Sequence, residues 1–206
     1  MKPADQKIYL ASKSPRRREL LRQIGVEFEL LMLRDNTSRG PEVDEIVRPG
    51  EVPDDYVARV AREKAECAHQ TMFLRKLPIR PVLAADTTVS VDGRILSKPA
   101  DIAEAVDMLK SLSGRTHQVL TSIAVHHHDD TWQSTQRSDV TFTKLSDEMI
   151  RTYCALPEPY DKAGGYAIQG QAAVFVQEIV GSYSGIMGLP LFETAQLLRQ
   201  AGIRIL

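Results

Sequence analysis

Apolar residues fall in short runs separated by polar, glycine- and proline-marked stretches, and the runs switch between strand-like and helical spacing. Residues 8–11 form the first run, which stops at Ser12-Lys13-Ser14-Pro15. There Ser14 is placed to cap a helix and Pro15 to sit at its first position. This helix shows Leu20, Leu21 and Ile24 on one face and ends near Gly25, and residues 28–33 predict a second strand. The chain therefore opens β-loop-α-β. Residues 34–52 are polar and carry Gly40, Pro41, Pro49 and Gly50, which predicts a long surface loop, a length more often functional than idle.

Asp54 or Asp55 then leads a long helix with Val57, Val60, Ala61, Ala65 and Ala68 at helical spacing, ending before Pro78. Residues 82–91 are apolar on both faces at their start, as a central covered strand requires, and Asp92-Gly93 signals a hairpin. Asp101 with Glu104 opens a helix through Ala105, Met108, Leu109 and Leu112, which Gly114 ends. Strands are predicted at 119–125 and around 140–142, and a helix from Ser146 that Pro157 and Pro159 close off. The polar, glycine-rich stretch 160–170 is too rich to serve only as a connection. A strand at 172–179, a helix at 191–198 and a last short strand at 203–206 complete the pattern. Strands alternating with helices, together with two hairpins, predict an α/β protein with a mixed β-sheet, because purely parallel sheets lack tight returns. Ligands of such sheets gather outside the strand ends, where residues 12–18 and Asp86-Thr87 fall.

Composition narrows the function classes. With 206 residues, 43% hydrophobic and 26% charged, the chain has the profile of an ordinary globular protein, which excludes disorder and collagen. One domain over residues 1–206, with two lobes, suits that length. The formal net charge of −1 excludes a broad basic surface for duplex nucleic acid, so any cationic chemistry is local. Cys67 and Cys154 are far apart, which suggests neither a zinc cage nor a disulfide framework. No apolar run approaches the roughly 20 residues that span a bilayer. A cytoplasmic protein without signal or membrane anchor is expected.

Residues 12–18 place two serines and four cations at a strand end and in the first turn of a helix. Cations there oppose the helix dipole by roughly 0.3–1 kcal/mol each when exposed, whereas a bound anion is favoured by dipole and N–H groups together. The stretch reads as a phosphate cradle or as a solvated basic face. Asp86 ends an apolar strand, where a carboxylate is expensive unless paired, hydrated or metal-bound. Lys64, Lys98 and either Glu45 or Asp44 would complete an acidic metal cluster ringed by cations, the inventory of polyphosphate hydrolysis. No G-x-x-x-x-G-K-[ST] or G-x-G-x-x-G occurs, and Ser14 has no His-Asp partner set. His126-His127-His128 falls where a hairpin should turn and reads as loop, not as a metal site.

Taken together, the segments Leu10-Ala-Ser-Lys-Ser-Pro-Arg-Arg-Arg-Glu-Leu-Leu21, Ala61-Arg-Glu-Lys-Ala65, Ala85-Asp-Thr-Thr-Val89, Ser97-Lys-Pro-Ala-Asp101, Leu112-Ser-Gly-Arg-Thr-His117 and Asp161-Lys-Ala-Gly-Gly-Tyr-Ala-Ile-Gln-Gly170 resemble the Maf family. The resemblance implies an elongated mixed sheet flanked by helices around a central substrate cleft, similar to inosine triphosphatases. It implies a nucleoside triphosphate pyrophosphatase that cleaves between the α and β phosphates with a divalent metal, Mg²⁺ or Mn²⁺. In the branch this sequence is most similar to, the substrates are dTTP and UTP, and modified pyrimidine nucleotides fit the same house-cleaning role.

By the same resemblance, Asp86 matches the proton acceptor or metal holder, and Lys64 and Lys98 match phosphate-facing lysines. Ser12, Ser14, Arg16, Arg17 and Lys162 match substrate-binding positions, and Arg16, Thr87 and Gln169 those that set base preference. Glu45 matches the acidic, metal-holding partner when counted back from Lys64, with Asp44 as its rival. The family suggests a homodimer. A rival class is a nucleotide-binding regulator of cell division, and the neighbouring branch offers a 7-methyl-GTP pyrophosphatase. The hydrolytic set Asp86, Lys64 and Lys98 favours an enzyme, and Thr87 with Gln169 argues against the neighbouring branch.

Overall fold

β-Branched and leucine-rich runs supply the strands of one mixed sheet, seen in a computed structural model that describes residues 6–32 and 43–206. The sheet has seven strands in the order β2-β1-β3-β5-β6-β7, with β4 also pairing to β3. The strands are β1 (Ile8–Leu10), β2 (Phe28–Leu30), β3 (Val82–Val91), β4 (Arg94–Leu96), β5 (Thr116–His127), β6 (Asp130–Phe142) and β7 (Val176–Val180). β1 runs parallel to both β2 and β3, and the remaining pairs are antiparallel. This is the mixed α/β sheet that the hairpin signals predict.

The helices are α1 (Pro15–Gln23), α2 (Pro53–Leu74), α3 (Ile102–Leu112), α4 (Asp147–Cys154), α5 (Tyr183–Ile186) and α6 (Leu191–Gln200). α3 starts as its sequence dictates: Asp101 accepts from Glu104 N at 2.9 Å, and Glu104 reaches back to Ala100 N at 2.7 Å. Val57, Val60, Ala61, Ala65 and Ala68 of α2 are buried against the sheet, the stripe that the helical spacing predicts. Among the described residues no helix is long and apolar enough to cross a membrane. Both cysteines are free thiols and buried.

Four expectations change. The second strand stops at Leu30, and Leu33 lies outside the described residues, as do positions 34–42 of the predicted loop. Residues 172–179 split: Gln171–Phe175 is a 3₁₀ turn and only Val176–Val180 is strand. The carboxylate of Glu158 accepts from the N–H groups of Gln171 and Ala172, which occupies backbone that a ladder needs. Residues 203–206 have no strand partner; Ile203 and Ile205 are buried, but Arg204 N donates to the side chain of Gln6. β6 is far longer than residues 140–142, because β5 pairs with it over its whole length. The histidine run ends β5 and turns at His128, which has φ +55°.

Leu109, Leu112, Val140, Phe142 and Phe175 pack into one apolar cluster beside β4, α3 and α4. Inside it His117 Nε2 meets Tyr166 Oη at 2.7 Å, while His117 Nδ1 is buried with no hydrogen-bond partner among the described residues. Burial pushes the His117 pKa down to about 4. The unfolded chain, with an ordinary histidine near 6.5, therefore takes up a proton between pH 6.5 and 4 that the folded chain refuses. Stability is expected to fall through that window, by about 3 kcal/mol at pH 4 from this residue. Urea unfolding at neutral pH and near pH 4 measures it, and His117→Gln is expected to lose less on acidification than the wild type. An equal loss in the variant would remove His117 as the cause.

Candidate active site

The sheet splits along one edge of β3. Tyr9 and Leu10 of β1 pair with Val82 and Leu83, and β4 pairs with residues 89–91, while the opposite edge is covered by β5 from Val82 to Ser90. Residues 84–88 of β3 thus have one edge without a strand. Successive side chains point to opposite faces of the sheet, so Asp86 and Thr87 present themselves on the two sides of this gap. A cleft of about 670 Å³ lies there, within the usual range for small-molecule sites. Ser12, Ser14, Arg16, Arg17, Glu45, Lys64, Asp86, Thr87, Lys98 and Lys162 all line it. Segments scattered from residue 12 to residue 162 are thereby brought to one place.

On the α2 side, Lys64 Nζ lies 2.8 Å from Asp86 Oδ1 and 3.0 Å from Glu45 Oε1. Two carboxylates therefore share one ammonium. Glu45, not Asp44, is the acidic residue placed there; the Asp44 side chain accepts from Ile46 N within its own turn.

The backbone around Glu45 is pinned by a buried guanidinium. Arg59 of α2 donates through Nε and Nη2 to Glu51, at 2.6 and 2.9 Å, and to the carbonyls of Asp44 and Ile46, at 2.8 and 3.0 Å. Tyr56 Oη adds a bond to Glu45 O at 3.1 Å. The Arg59 hydrogen bonds hold the Glu51 pKa at about 2, so this clamp survives the acid range in which His117 resists protonation. Burial, followed by the charges of Asp86 and Glu45, raises the Tyr56 phenol to about 12.

On the opposite side, α1 begins at Pro15 with Ser14 at the capping position and no side-chain cap. Ser14 N instead donates to Ser12 Oγ at 3.2 Å. The first turn of the helix is thus left to other acceptors. Arg17 turns back over this loop and donates to Gly188 O at 2.7 Å, Ala85 O at 2.8 Å, Thr87 Oγ1 at 3.1 Å and Ser12 Oγ at 3.3 Å. Ala85 O belongs to the open edge of β3, so the guanidinium fills in for the missing strand. Burial lowers the pKa of Arg17, and the fields of Asp86 and Glu45 oppose that shift.

The far wall is the 160–170 stretch. Gly164 N donates to Ser97 O at 3.1 Å, tying this wall to the exit of β4 next to Lys98. Gly164 has φ +71°, and a Cβ there would lie 2.9 Å from the side chain of Val89. Only glycine fits without displacing β3. Lys162 is ion-paired with Asp161. Gln169 is exposed and is not among the residues that line the cleft, although its neighbours Ala167 and Ile168 are. Sequence reasoning missed Arg59 and Gly188; as an ordinary helical arginine and a loop glycine, neither carries a local signal.

The histidine run stays apart from the cleft, and among the described residues no three His, Cys, Asp or Glu side chains gather in a metal-binding group. A family model described as Maf-like protein matches residues 7–201. A dTTP/UTP pyrophosphatase of Aromatoleum aromaticum is 54% identical over 203 residues, covering 98% of each chain. One of Dechloromonas aromatica is 50% identical over 198 residues, covering 96% of this chain and 98% of its own. Among solved structures, the Ham1 protein of Staphylococcus aureus aligns with a TM-score of 0.44 at 17% identity, covering 66% of this chain and 71% of that one.

Proposed function

The chain belongs to the family of Maf-like proteins, and on that premise we propose that it is a nucleoside triphosphate pyrophosphatase that hydrolyses dTTP and UTP to the monophosphate and pyrophosphate. The observation that carries the reading is the split sheet edge, where a cationic loop, three lysines and three carboxylates, Glu45, Asp86 and Asp161, face one cleft. Relatives 50–54% identical along nearly the whole chain bear that activity as their name. We read the chain as one domain, its two lobes meeting at this edge, working in the cytoplasm as a homodimer.

A triphosphate needs its charge matched along its length. Arg16, Lys98 and Lys162 neutralise it, and Ser12, Ser14 and the uncapped first turn of α1 supply hydrogen bonds. Water adds through its oxygen to the α-phosphorus, the bond to the bridging oxygen breaks, and pyrophosphate leaves. The water proton passes to the Asp86 carboxylate, which Lys64 holds in place by its 2.8 Å bond. Thr87, on the cleft wall, is the group that meets the base edge, and Gln169, exposed beside Ile168 and outside the lining, reaches it only by turning in its carboxamide, which both donates and accepts.

Lys64 takes up Asp86 Oδ1 and Glu45 Oε1, and the second oxygens of the two carboxylates would hold a divalent cation, Mg²⁺ or Mn²⁺, because one or two carboxylates are what such an ion uses when phosphate oxygens and waters complete its shell. When bound, it supplies charge neutralisation on the anhydride as it breaks. The test is pyrophosphate release from dTTP, UTP, CTP, GTP, 7-methyl-GTP and ATP with Mg²⁺ or Mn²⁺, with products identified chromatographically. Monophosphate plus pyrophosphate, fastest from dTTP and UTP, is the expected result. Nucleotide binding without turnover of any would overturn it in favour of a regulator.

A further inference from the structure

Thr121 of β5 is fully buried and pairs directly with Thr87 in the sheet register, so the two side chains share one face. The Thr121 hydroxyl donates to Gly185 O at 2.7 Å, and a carbonyl can only accept. With that proton committed, the 2.9 Å bond between the two threonine hydroxyls has Thr87 as its donor. Thr87 in turn accepts from Arg17 Nη2 at 3.1 Å. What this hydroxyl retains is one lone pair, so at the cleft wall it accepts and does not donate. Gly188, at φ +106°, helps leave the oxygen uncovered: a Cβ there would stand 3.4 Å from Thr87 Oγ1.

We propose that Thr121 is a specificity-determining positioning residue: by fixing Thr87 as an obligate acceptor, it selects a base edge that offers N–H, the N3–H of uracil and thymine, over the bare N3 of cytosine. The inference rests on the dTTP/UTP reading, including its placing of the base edge against Thr87 on the cleft wall, and adds the group that sets the polarity of that contact. Gln169 cannot set it alone, because a carboxamide turns over to present either a donor or an acceptor. An unrestrained threonine hydroxyl rotates with the same freedom. The bond from Thr87 to Thr121, whose own proton goes to Gly185 O, removes it.

The experiment measures kcat/KM for UTP and CTP in the wild type, Thr121→Val, Thr121→Ser, Thr87→Val and the Thr87→Val/Thr121→Val double variant. Valine keeps the β-branched shape and loses the hydroxyl. The UTP-to-CTP ratio is expected to fall about tenfold in Thr121→Val. It is expected to return in Thr121→Ser, and to be the same in Thr87→Val and the double variant, since both act through one hydroxyl. A merely structural role would lower both substrates in parallel. An unmoved ratio in folded Thr121→Val overturns the proposal.

If Thr121→Val does not fold, wild-type turnover of UTP against N3-methyl-UTP decides, and equal rates overturn the proposal. If the wild type hydrolyses neither UTP nor CTP, the functional reading fails by itself. The same ratio, read from calorimetric Kd values, then tests the threonine pair.

Discussion

Asp86→Asn is expected to lower turnover of dTTP and UTP by about three orders of magnitude while nucleotide binding and the fold persist. The substitution keeps volume and removes charge, so the 2.8 Å bond from Lys64 loses its ionic partner while the shape of the gap between β1 and β4 is retained. Lys64 is not stranded, because Glu45 stands 3.0 Å from the same ammonium and is half exposed. The stability loss is therefore expected near 1 kcal/mol, below the 3–5 kcal/mol of a fully buried pair that loses one member. The rate loss corresponds to about 4 kcal/mol of barrier. Single-turnover kinetics beside calorimetric nucleotide titration separates the two effects. Turnover like the wild type's would remove Asp86 from the chemistry, and loss of binding with loss of rate would make it a substrate ligand.

Asp86 stands out in the sequence for a physical reason. A carboxylate closing the run Val82-Leu-Ala-Ala85 contradicts its surroundings, and such contradictions mark sites. The covered strand β3 and the capped helix α3 are legible in the same way, since periodicity and caps act over a few residues. β6 is not. Its segment 131–137 is polar apart from Trp132 and holds no fully buried residue, and it is a strand because β5 supplies the pairing register.

The 3₁₀ turn at Gln171–Phe175 exists because Glu158, thirteen residues upstream of Gln171, takes up its N–H groups. The placement of Glu45 depends on Arg59, whose five N–H groups all find acceptors in residues 44–63. Each partner is an unremarkable polar residue until the fold joins them. The cleft residues were therefore readable as an inventory of phosphate chemistry, while the network that orients them was not.

Arg17→Lys is the substitution that separates inventory from orientation, and it is expected to lower stability by about 3 kcal/mol and kcat/KM by about a hundredfold for every nucleotide alike. The charge survives the change, so an arginine needed only as a cation near phosphate would tolerate it with a modest rise in KM. The geometry says otherwise. The guanidinium fork bonds four oxygens from three separate parts of the chain: Ser12 Oγ, Ala85 O and Thr87 Oγ1 on β3, and Gly188 O. A single ammonium on a flexible stem cannot span them, and each buried carbonyl left unpaired costs about 1–3 kcal/mol.

The cation loop, the open edge of β3 and the 185–188 segment would then drift together, which lowers turnover of all substrates in parallel. That outcome also differs from the shift in UTP-to-CTP ratio expected of Thr121→Val. Thermal unfolding and kcat/KM for UTP and CTP in the same preparation read both quantities. An unchanged melting temperature would show that these four bonds do not hold the cleft, and would return Arg17 to direct contact with phosphate.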